Sequence, residues 1–206
     1  KPLTMLAALD RHLVKPNEYF ECGVYYVQGR KISDTHMYGS LRPVDIISKS
    51  SNVGIAKIAE RVGPKHLYEK LISLGYGQKT GLNLQGESSG MFAKLDNWDG
   101  YTLHSVSFGQ GMAVTALQHA TAFCAVANGG KIMKPYLVDY ITDDNGNIVE
   151  RTEPEVLRQV CSKAAADTVR SYMQAVVDRG TATHIKADYI TIAGKTGTAQ
   201  KAAEGG

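Results

Sequence analysis

The sequence is poor in the residues that would indicate a disulfide-stabilised or metal-binding protein. Its three cysteines, Cys22, Cys124 and Cys161, fit neither a disulfide framework nor a zinc site in number or spacing. Its six histidines are scattered along the chain without the spacing of metal ligands. We therefore predict no metal site, and we interpret Cys124, inside an apolar helical pattern, as a core residue.

The sequence also lacks a strong charge and a long apolar run. The formal net charge is +3, no Lys- or Arg-rich block stands out, and no aromatic run alternates with basic residues, so nucleic acid is not an expected partner. No apolar stretch reaches the length of a membrane span, and the first residues do not form a signal peptide. Because both ends look cut, we expect a fragment of a longer protein, with any membrane anchor outside residues 1–206.

What the sequence does contain is a series of helical and strand-like segments. Apolar residues recur at helical spacing in five segments bounded by Pro, Gly or capping residues, and an Asn-Gly pair between two strand-like runs predicts a hairpin. Glycines make the segment from Gly75 to Gly111 irregular. Such an order of elements indicates an α+β domain. The predicted helices cover 2–14, 53–62, 64–74, 115–127 and 163–179, and the predicted extended segments cover 19–32, 136–142, 148–151 and 189–198. The helix over 115–127 is predicted to bury Leu117, Ala120, Cys124 and Ala127.

The predicted strand Tyr189–Thr198 ends on Lys195-Thr196-Gly197-Thr198. With period-two alternation, Lys195 and Gly197 share one face of the strand and the two threonines share the other. A glycine within a strand often marks the close approach of a ligand or of another backbone. An ammonium and two hydroxyls beside that gap could bind a carboxylate. The alternative is an ordinary strand end with a solvated lysine.

Two other groups could take part in chemistry. Ser50-Ser51-Asn52 precedes a helical pattern, where serine and asparagine are ordinary helix caps. A functional role needs Ser50 and Asn52 to face a cleft, where Ser50 passes protons and the Asn52 amide holds a substrate carbonyl. Lys1 continues directly into an apolar helix, so a serine three residues upstream would share its helix face, an arrangement in which lysine activates serine.

Three positions along the chain resemble, in order, the motifs Ser-x-x-Lys, Ser-x-Asn and Lys-Thr-Gly of penicillin-binding proteins and serine β-lactamases. They are Lys1, Ser50-Ser51-Asn52 and Lys195-Thr196-Gly197. The second and third motifs are complete, and Lys1 resembles the last residue of the first. Further stretches, spread over nearly the whole chain, are similar to class B penicillin-binding proteins, the monofunctional transpeptidases. These stretches are Lys49-Ser50-Ser51-Asn52-Val53-Gly54, Thr80-Gly81-Leu82-Asn83-Leu84, Gly86-Glu87-Ser88-Ser89-Gly90, Ser107-Phe108-Gly109-Gln110-Gly111, Ala113-Val114-Thr115 and Arg179-Gly180-Thr181-Ala182.

The resemblance implies the α+β transpeptidase fold of penicillin-binding proteins and serine β-lactamases, a helical subdomain plus an antiparallel sheet, incomplete in this chain. Residues 1–206 would form a partial transpeptidase domain that starts at the lysine of Ser-x-x-Lys and ends just after the Lys-Thr-Gly strand. The nucleophilic serine would lie three residues upstream of Lys1, and the fragment alone would therefore be inactive.

The resemblance also implies acyl transfer at the D-Ala–D-Ala bond of a peptidoglycan stem peptide, without a cofactor. Lys1 would be the base for the serine, kept neutral by burial and by the charge of nearby Lys195. Ser50 would pass the proton to the leaving nitrogen, and Asn52 would orient the donor amide. The terminal carboxylate of the peptide, or that of a β-lactam, would be bound by Lys195, Thr196, Gly197 and Thr198, with the Thr198 N–H as half of an oxyanion hole.

The implied partners are peptidoglycan stem peptides, β-lactam antibiotics and other cell-wall synthesis or division proteins, on the outer side of a bacterial cytoplasmic membrane. Two alternatives stay open. One is a serine β-lactamase or D,D-carboxypeptidase, in which water replaces the acceptor amine; Ser51 disfavours it, because class A β-lactamases have aspartate there. The other is a non-catalytic β-lactam-sensing domain, which would keep Ser50, Asn52 and Lys195 as well.

Overall fold

A computed structural model of the chain describes residues 1–82 and 84–199. These residues form seven α-helices and four two-stranded antiparallel ribbons, which confirms the predicted α+β class. Within them, no helix combines the length and the apolar character needed to cross a membrane. The helices are α1 (Pro2–Asp10), α2 (Pro43–Ser48), α3 (Asn52–Val62), α4 (Pro64–Ser73), α5 (Thr102–Phe108), α6 (Ala116–Ala127) and α7 (Lys163–Arg179). The strand pairs are β1 (Phe20–Glu21) with β4 (Ser40–Leu41), β2 (Tyr25–Val27) with β3 (Arg30–Ile32), β5 (Lys131–Met133) with β8 (Val156–Gln159), and β6 (Tyr140–Thr142) with β7 (Ile148–Arg151).

Helix α1 forms the centre of the core. Its residues 2–9 are all buried, and it packs against α3, α4 and α7. A helix with apolar residues all round is usually buried on every side. Thr4 is accommodated there because its hydroxyl donates to the backbone C=O of Ser107 (2.8 Å). The first turn is closed by a hydrogen bond from the Met5 N–H to the Lys1 C=O (2.9 Å), so the core fixes the backbone of Lys1.

Capping and turn residues that the sequence indicates set the boundaries of helices α3 and α4 and of one hairpin. The Ser51 hydroxyl accepts from the Gly54 N–H (2.9 Å) and caps α3. Gly63, at φ +78°, allows α3 to end and α4 to begin at Pro64 without a connecting loop. Strands β6 and β7 pair around Gly146, at φ +86°, as the Asn-Gly pair predicts.

The predicted strand Tyr189–Thr198 is wrong. The described residues from 186 onward contain no strand, and this segment lies along α7, where the Gly194 N–H donates to the Met173 C=O (3.2 Å). A strand is defined by hydrogen bonds to a neighbouring strand, and none of the described strands lies beside this segment. The pairing that would make this segment a strand is not formed within residues 1–82 and 84–199.

Two further expectations are corrected. The irregular segment between Gly75 and Gly111 contains helix α5, which is too short to show a clear period. Helix α6 buries a different face from the predicted one, and Cys124 is exposed. The helix is apolar on several sides, so periodicity does not choose between its faces. The choice is made by Gln118, which completes a capping box with Thr115 and donates from its amide to the C=O groups of two loop residues. The residues that α6 buries are Gln118, Ala122, Ala125 and Val126.

Candidate active site

One cavity of about 880 Å³ brings the predicted site residues together. Its lining includes the start of α1, the junction between α2 and α3, the segment after β3, the turn after α7 and residues 195–199, together with residues of α4, α5 and α6 and of the segment after α5. We call residues 48–54 the Ser50 wall and residues 194–199 the Lys195 wall. The predicted residues in the lining are Lys1, Ser50, Asn52, Lys195, Thr196, Gly197 and Thr198.

The Ser50 wall has an unusual backbone conformation. Ser50 lies between the end of α2 and the cap of α3, in the left-handed region at φ +61°. This region costs a non-glycine L-residue roughly 1–2 kcal/mol and is uncommon outside tight turns and functional sites. The tight turn lets Ser50 and Asn52 both reach the cavity while Ser51, between them, is fully buried.

Asp34, which the sequence analysis did not identify, holds the start of α3. Its carboxylate accepts hydrogen bonds from the Asn52 N–H, the Val53 N–H (3.1 Å) and the Ser51 hydroxyl. The first N–H groups of a helix have no partner within the helix, and a negative charge there also opposes the positive end of the helix dipole. In addition, the Asn52 side chain donates from Nδ2 to the Ser33 C=O (3.0 Å), which sets the orientation of its amide.

Lys1 and Lys195 both line the cavity. Burial lowers the pKa of Lys1, and the Asp34 carboxylate opposes that change. The pKa of Lys195 is lowered to about 8, mainly by burial and then by the charge of Lys1. Both ammonium groups are therefore easier to deprotonate than an exposed lysine.

The Lys195 wall carries its hydroxyls on an exposed segment. The Lys195 ammonium donates to the C=O (3.0 Å) and to the hydroxyl (3.3 Å) of Thr196. The Thr196 hydroxyl also shares a hydrogen bond with the hydroxyl of Thr181 (2.7 Å), on the turn after α7. A Cβ built on Gly197 would meet no atom of residues 1–82 and 84–199 within 4 Å, so this position is open on the side of the described residues. Open space at Gly197 leaves room for a ligand.

Thr181 also lines the cavity, although the sequence alone assigns it no role. It belongs to the stretch Arg179-Gly180-Thr181-Ala182, which drew attention only through the resemblance. The Thr80 and Glu87 stretches lie outside the cavity lining, and the Glu87 carboxylate closes a loop there by accepting from Thr80 and Gly81. Asn83 and residues 200–206 of the predicted domain lie outside the described residues.

The cavity combines amines of lowered pKa, hydroxyl groups and an oriented amide. Such a set can bind a substrate carboxylate and move protons during acyl transfer. In the described part of the chain, no group of three or more His, Cys, Asp or Glu side chains is arranged to hold a metal ion.

Three comparisons agree with this chemistry. Residues 1–206 match the family model of the penicillin binding protein transpeptidase domain. The chain is 36% identical over 211 residues to penicillin-binding protein PbpB of Mycolicibacterium smegmatis, with 98% of this chain and 32% of that protein covered. It is 30% identical over 204 residues to peptidoglycan D,D-transpeptidase FtsI of Escherichia coli, again covering 98% and 32%. Its fold matches penicillin binding protein 3 from Mycobacterium tuberculosis, complexed with ampicillin, at a TM-score of 0.90 and 32% identity, covering 98% of this chain and 47% of that one.

The chain thus spans about a third of the length of the curated relatives that it matches.

Proposed function

Because the chain belongs to the family of penicillin-binding protein transpeptidase domains, we propose that it is part of a peptidoglycan D,D-transpeptidase. The proposed protein cross-links stem peptides by acyl transfer at the D-Ala–D-Ala bond, and β-lactams acylate the same site. The observation that carries the proposal is the meeting of Lys1, Ser50, Asn52 and the Lys195 wall around one cavity. These groups are far apart in sequence and supply the donors and the base that acyl transfer requires.

The chain is proposed to cover part of the transpeptidase domain, from the lysine of the first motif to the segment just after Lys-Thr-Gly. The nucleophilic serine is proposed to lie three residues before Lys1, where a further helical turn would place its hydroxyl on the face that carries the Lys1 side chain. The lowered pKa of Lys1, caused mainly by burial, supports its role as base, because a neutral amine can accept the serine proton.

Acylation begins when the serine oxygen attacks the carbonyl carbon of the penultimate D-alanine and its proton moves to the neutral amine of Lys1. The C–N bond then breaks, Ser50 passes a proton to the leaving nitrogen, and the terminal D-alanine departs. The acyl group remains on the serine as an ester. An amine of a second stem peptide attacks this ester, forms the new amide bond, and the serine oxygen regains its proton.

Binding of the donor peptide is assigned to both walls. The Asn52 amide, oriented by its hydrogen bond to Ser33, uses its oxygen to accept the N–H of the donor peptide. Lys195, Thr196 and Thr198 bind the terminal carboxylate. The backbone N–H of Thr198 is proposed as half of an oxyanion hole, and removal of one such donor costs roughly 3 kcal/mol in comparable enzymes.

The proposed site of action is the outer face of a bacterial cytoplasmic membrane, with an anchor outside residues 1–206. Cross-linking of the wall at this location requires other cell-wall synthesis or division proteins as partners. The name of the Escherichia coli relative, a peptidoglycan D,D-transpeptidase, supports a role in cross-linking peptidoglycan.

Labelling of the full-length protein with a fluorescent penicillin tests the proposal. We expect a covalent label that persists for many minutes and that prior incubation with unlabelled ampicillin prevents. No label would contradict the family chemistry, and rapid loss of label would support the alternative of a β-lactamase or carboxypeptidase.

A stable label leaves the transpeptidase and the β-lactam sensor, which differ in acyl transfer to an amine. Incubation with a D-Ala–D-Ala pentapeptide and a labelled D-amino acid as acceptor separates them. We expect the labelled amino acid in place of the terminal D-alanine. A penicillin-labelled protein that never incorporates the acceptor would contradict the transpeptidase assignment.

A further inference from the structure

Thr181 contacts both walls of the cavity, although it belongs to none of the three motifs. Its backbone N–H donates to the C=O of Ser48, at the start of the Ser50 wall (3.1 Å). Its hydroxyl shares a hydrogen bond with the hydroxyl of Thr196, on the Lys195 wall (2.7 Å). One residue therefore joins two parts of the site that are otherwise more than a hundred residues apart in sequence.

The turn that carries Thr181 is held rigidly. A Cβ on Gly180 would lie 2.4 Å from the Ser48 C=O oxygen and 2.9 Å from the Val176 C=O oxygen, so only glycine allows the chain to pass this close to α2. Ala182, just after Thr181, is buried, and its N–H donates to the Val176 C=O (3.1 Å). The position of the Thr181 hydroxyl is thus set by backbone contacts on both sides.

The Lys195 wall has much less support of its own. Its segment contains no strand, and Thr196 is exposed. Within residues 1–82 and 84–199, Thr181 is the residue outside this wall that hydrogen-bonds to the Thr196 side chain. The remaining partner of that hydroxyl is the adjacent Lys195 ammonium (3.3 Å).

The two partners together decide where the Thr196 proton can point. A threonine hydroxyl has one proton and two acceptor lone pairs. The Lys195 ammonium can only donate, so it occupies one lone pair of the Thr196 oxygen. When Thr181 donates into the other lone pair, both are filled and the Thr196 proton is left for the open cavity. A proton so placed can be donated to an anionic ligand.

We infer that Thr181 is a positioning residue for substrate recognition: it orients the Thr196 hydroxyl toward the terminal carboxylate of the donor peptide. This inference rests on the proposed function, because it assumes that Thr196 binds this carboxylate. Because the Thr196 hydroxyl donates to an anion, we expect loss of the Thr181 hydroxyl to weaken the binding of carboxylate-bearing substrates.

The test compares T181V, which keeps the side-chain shape and removes the hydroxyl, with T181S, which keeps the hydroxyl. T168V is the matched control, because among the described residues the Thr168 hydroxyl bonds only to the Ala164 C=O, on the exposed side of α7 (2.8 Å). The full-length protein is assayed with a thioester depsipeptide that ends in a free carboxylate and with its methyl ester. T181A is a second hydroxyl-free variant in case T181V does not fold.

For the free carboxylate substrate, we expect T181V to lower kcat/KM by about fivefold, mostly through KM, as for the loss of one hydrogen bond. T181S and T168V should stay within about twofold of the parent, which is the usual range for neutral surface changes. For the methyl ester, T181V should equal the parent, because the group that the oriented proton recognises is absent.

The inference is overturned if T181V and T181A match the parent on the free carboxylate substrate. It is also overturned if T181S loses as much kcat/KM as T181V, or if T181V loses as much kcat/KM on the ester as on the free carboxylate substrate. Either result would show that Thr181 acts through general packing. A parent protein that forms no acyl-enzyme with penicillin would instead contradict the proposed function itself, so the two failures are distinguishable.

Discussion

The two walls of the cavity are held in place by different kinds of interaction. On the Ser50 wall, the first N–H groups of α3 all have partners, supplied by the Asp34 carboxylate and the Ser51 hydroxyl. On the Lys195 wall, the hydrogen bonds to other elements among the described residues are one from the Gly194 N–H and one between the hydroxyls of Thr196 and Thr181. The first wall is mostly buried and over-determined, whereas the second, apart from half-buried Gly194 and Lys195, is exposed and held by few hydrogen bonds.

This difference matches the chemistry proposed for each wall. Proton transfer through Ser50 needs atoms held to within a fraction of an ångström, because the reaction depends on hydrogen-bond geometry. Binding of a carboxylate by Lys195 and Thr196 relies more on charge, which acts over longer distances. We therefore expect changes on the Ser50 wall to affect the chemical step and folding stability, and changes on the Lys195 wall to affect binding and its pH dependence.

The largest expected difference between the two walls is that between the kinetic effects of S50A and T196V. S50A removes the proposed proton carrier and should lower kcat for the D-Ala–D-Ala substrate by roughly 10²–10⁴-fold. T196V should mainly raise KM. Steady-state kinetics with the full-length protein measure both, and S171A, an exposed serine on α7, is the control. If S50A changed only KM, the proposed division of roles between the two walls would be wrong.

The second prediction concerns stability. D34A removes the acceptor for two N–H groups at the start of α3 and for the Ser51 hydroxyl, so we expect a loss of about 2 kcal/mol in the free energy of unfolding. D34N keeps one acceptor oxygen and should lose less. Urea unfolding of the full-length protein measures the difference. D144A, at an exposed turn position, should change stability by less than about 0.5 kcal/mol.

A smaller effect on carboxylate binding is expected when the pH is raised. Carboxylate binding needs Lys195 protonated, and its pKa is lowered to about 8 by burial and then by Lys1. Binding should therefore weaken as pH rises through 8, by about tenfold at pH 9 relative to pH 7. K195R should move this alkaline limit upward, because guanidinium does not deprotonate in this range.

The profile of kcat/KM against pH measures the position of that limit. The methyl ester substrate, which lacks the charge that Lys195 recognises, is the control and should show a weaker alkaline decline. If kcat/KM declined at the same pH for K195R and the parent, a group other than Lys195 would set the alkaline limit.

The same contrast between the walls explains what the sequence could and could not predict. Helix α3 and its cap are local features, readable from Ser51, the apolar period and Gly63. The Lys195 segment was predicted to be a strand, but strand pairing is non-local, and none of the described strands lies beside it. Asp34 and Thr181 were missed for the same reason. Their contacts join loops to distant residues, and no spacing rule in a single sequence relates such positions.

The smallest expected effect tests whether Ser50 keeps its strained backbone for function. Ser50 has φ +61°, which glycine adopts without penalty. S50G should therefore be more stable than S50A by about 1 kcal/mol, although both lack the hydroxyl and should be equally impaired in catalysis. Urea unfolding of the two variants, each as the full-length protein, measures the difference. Equal stability would mean that the turn relaxes in S50A, and the backbone of the Ser50 wall would then be less firmly determined than its capping contacts indicate.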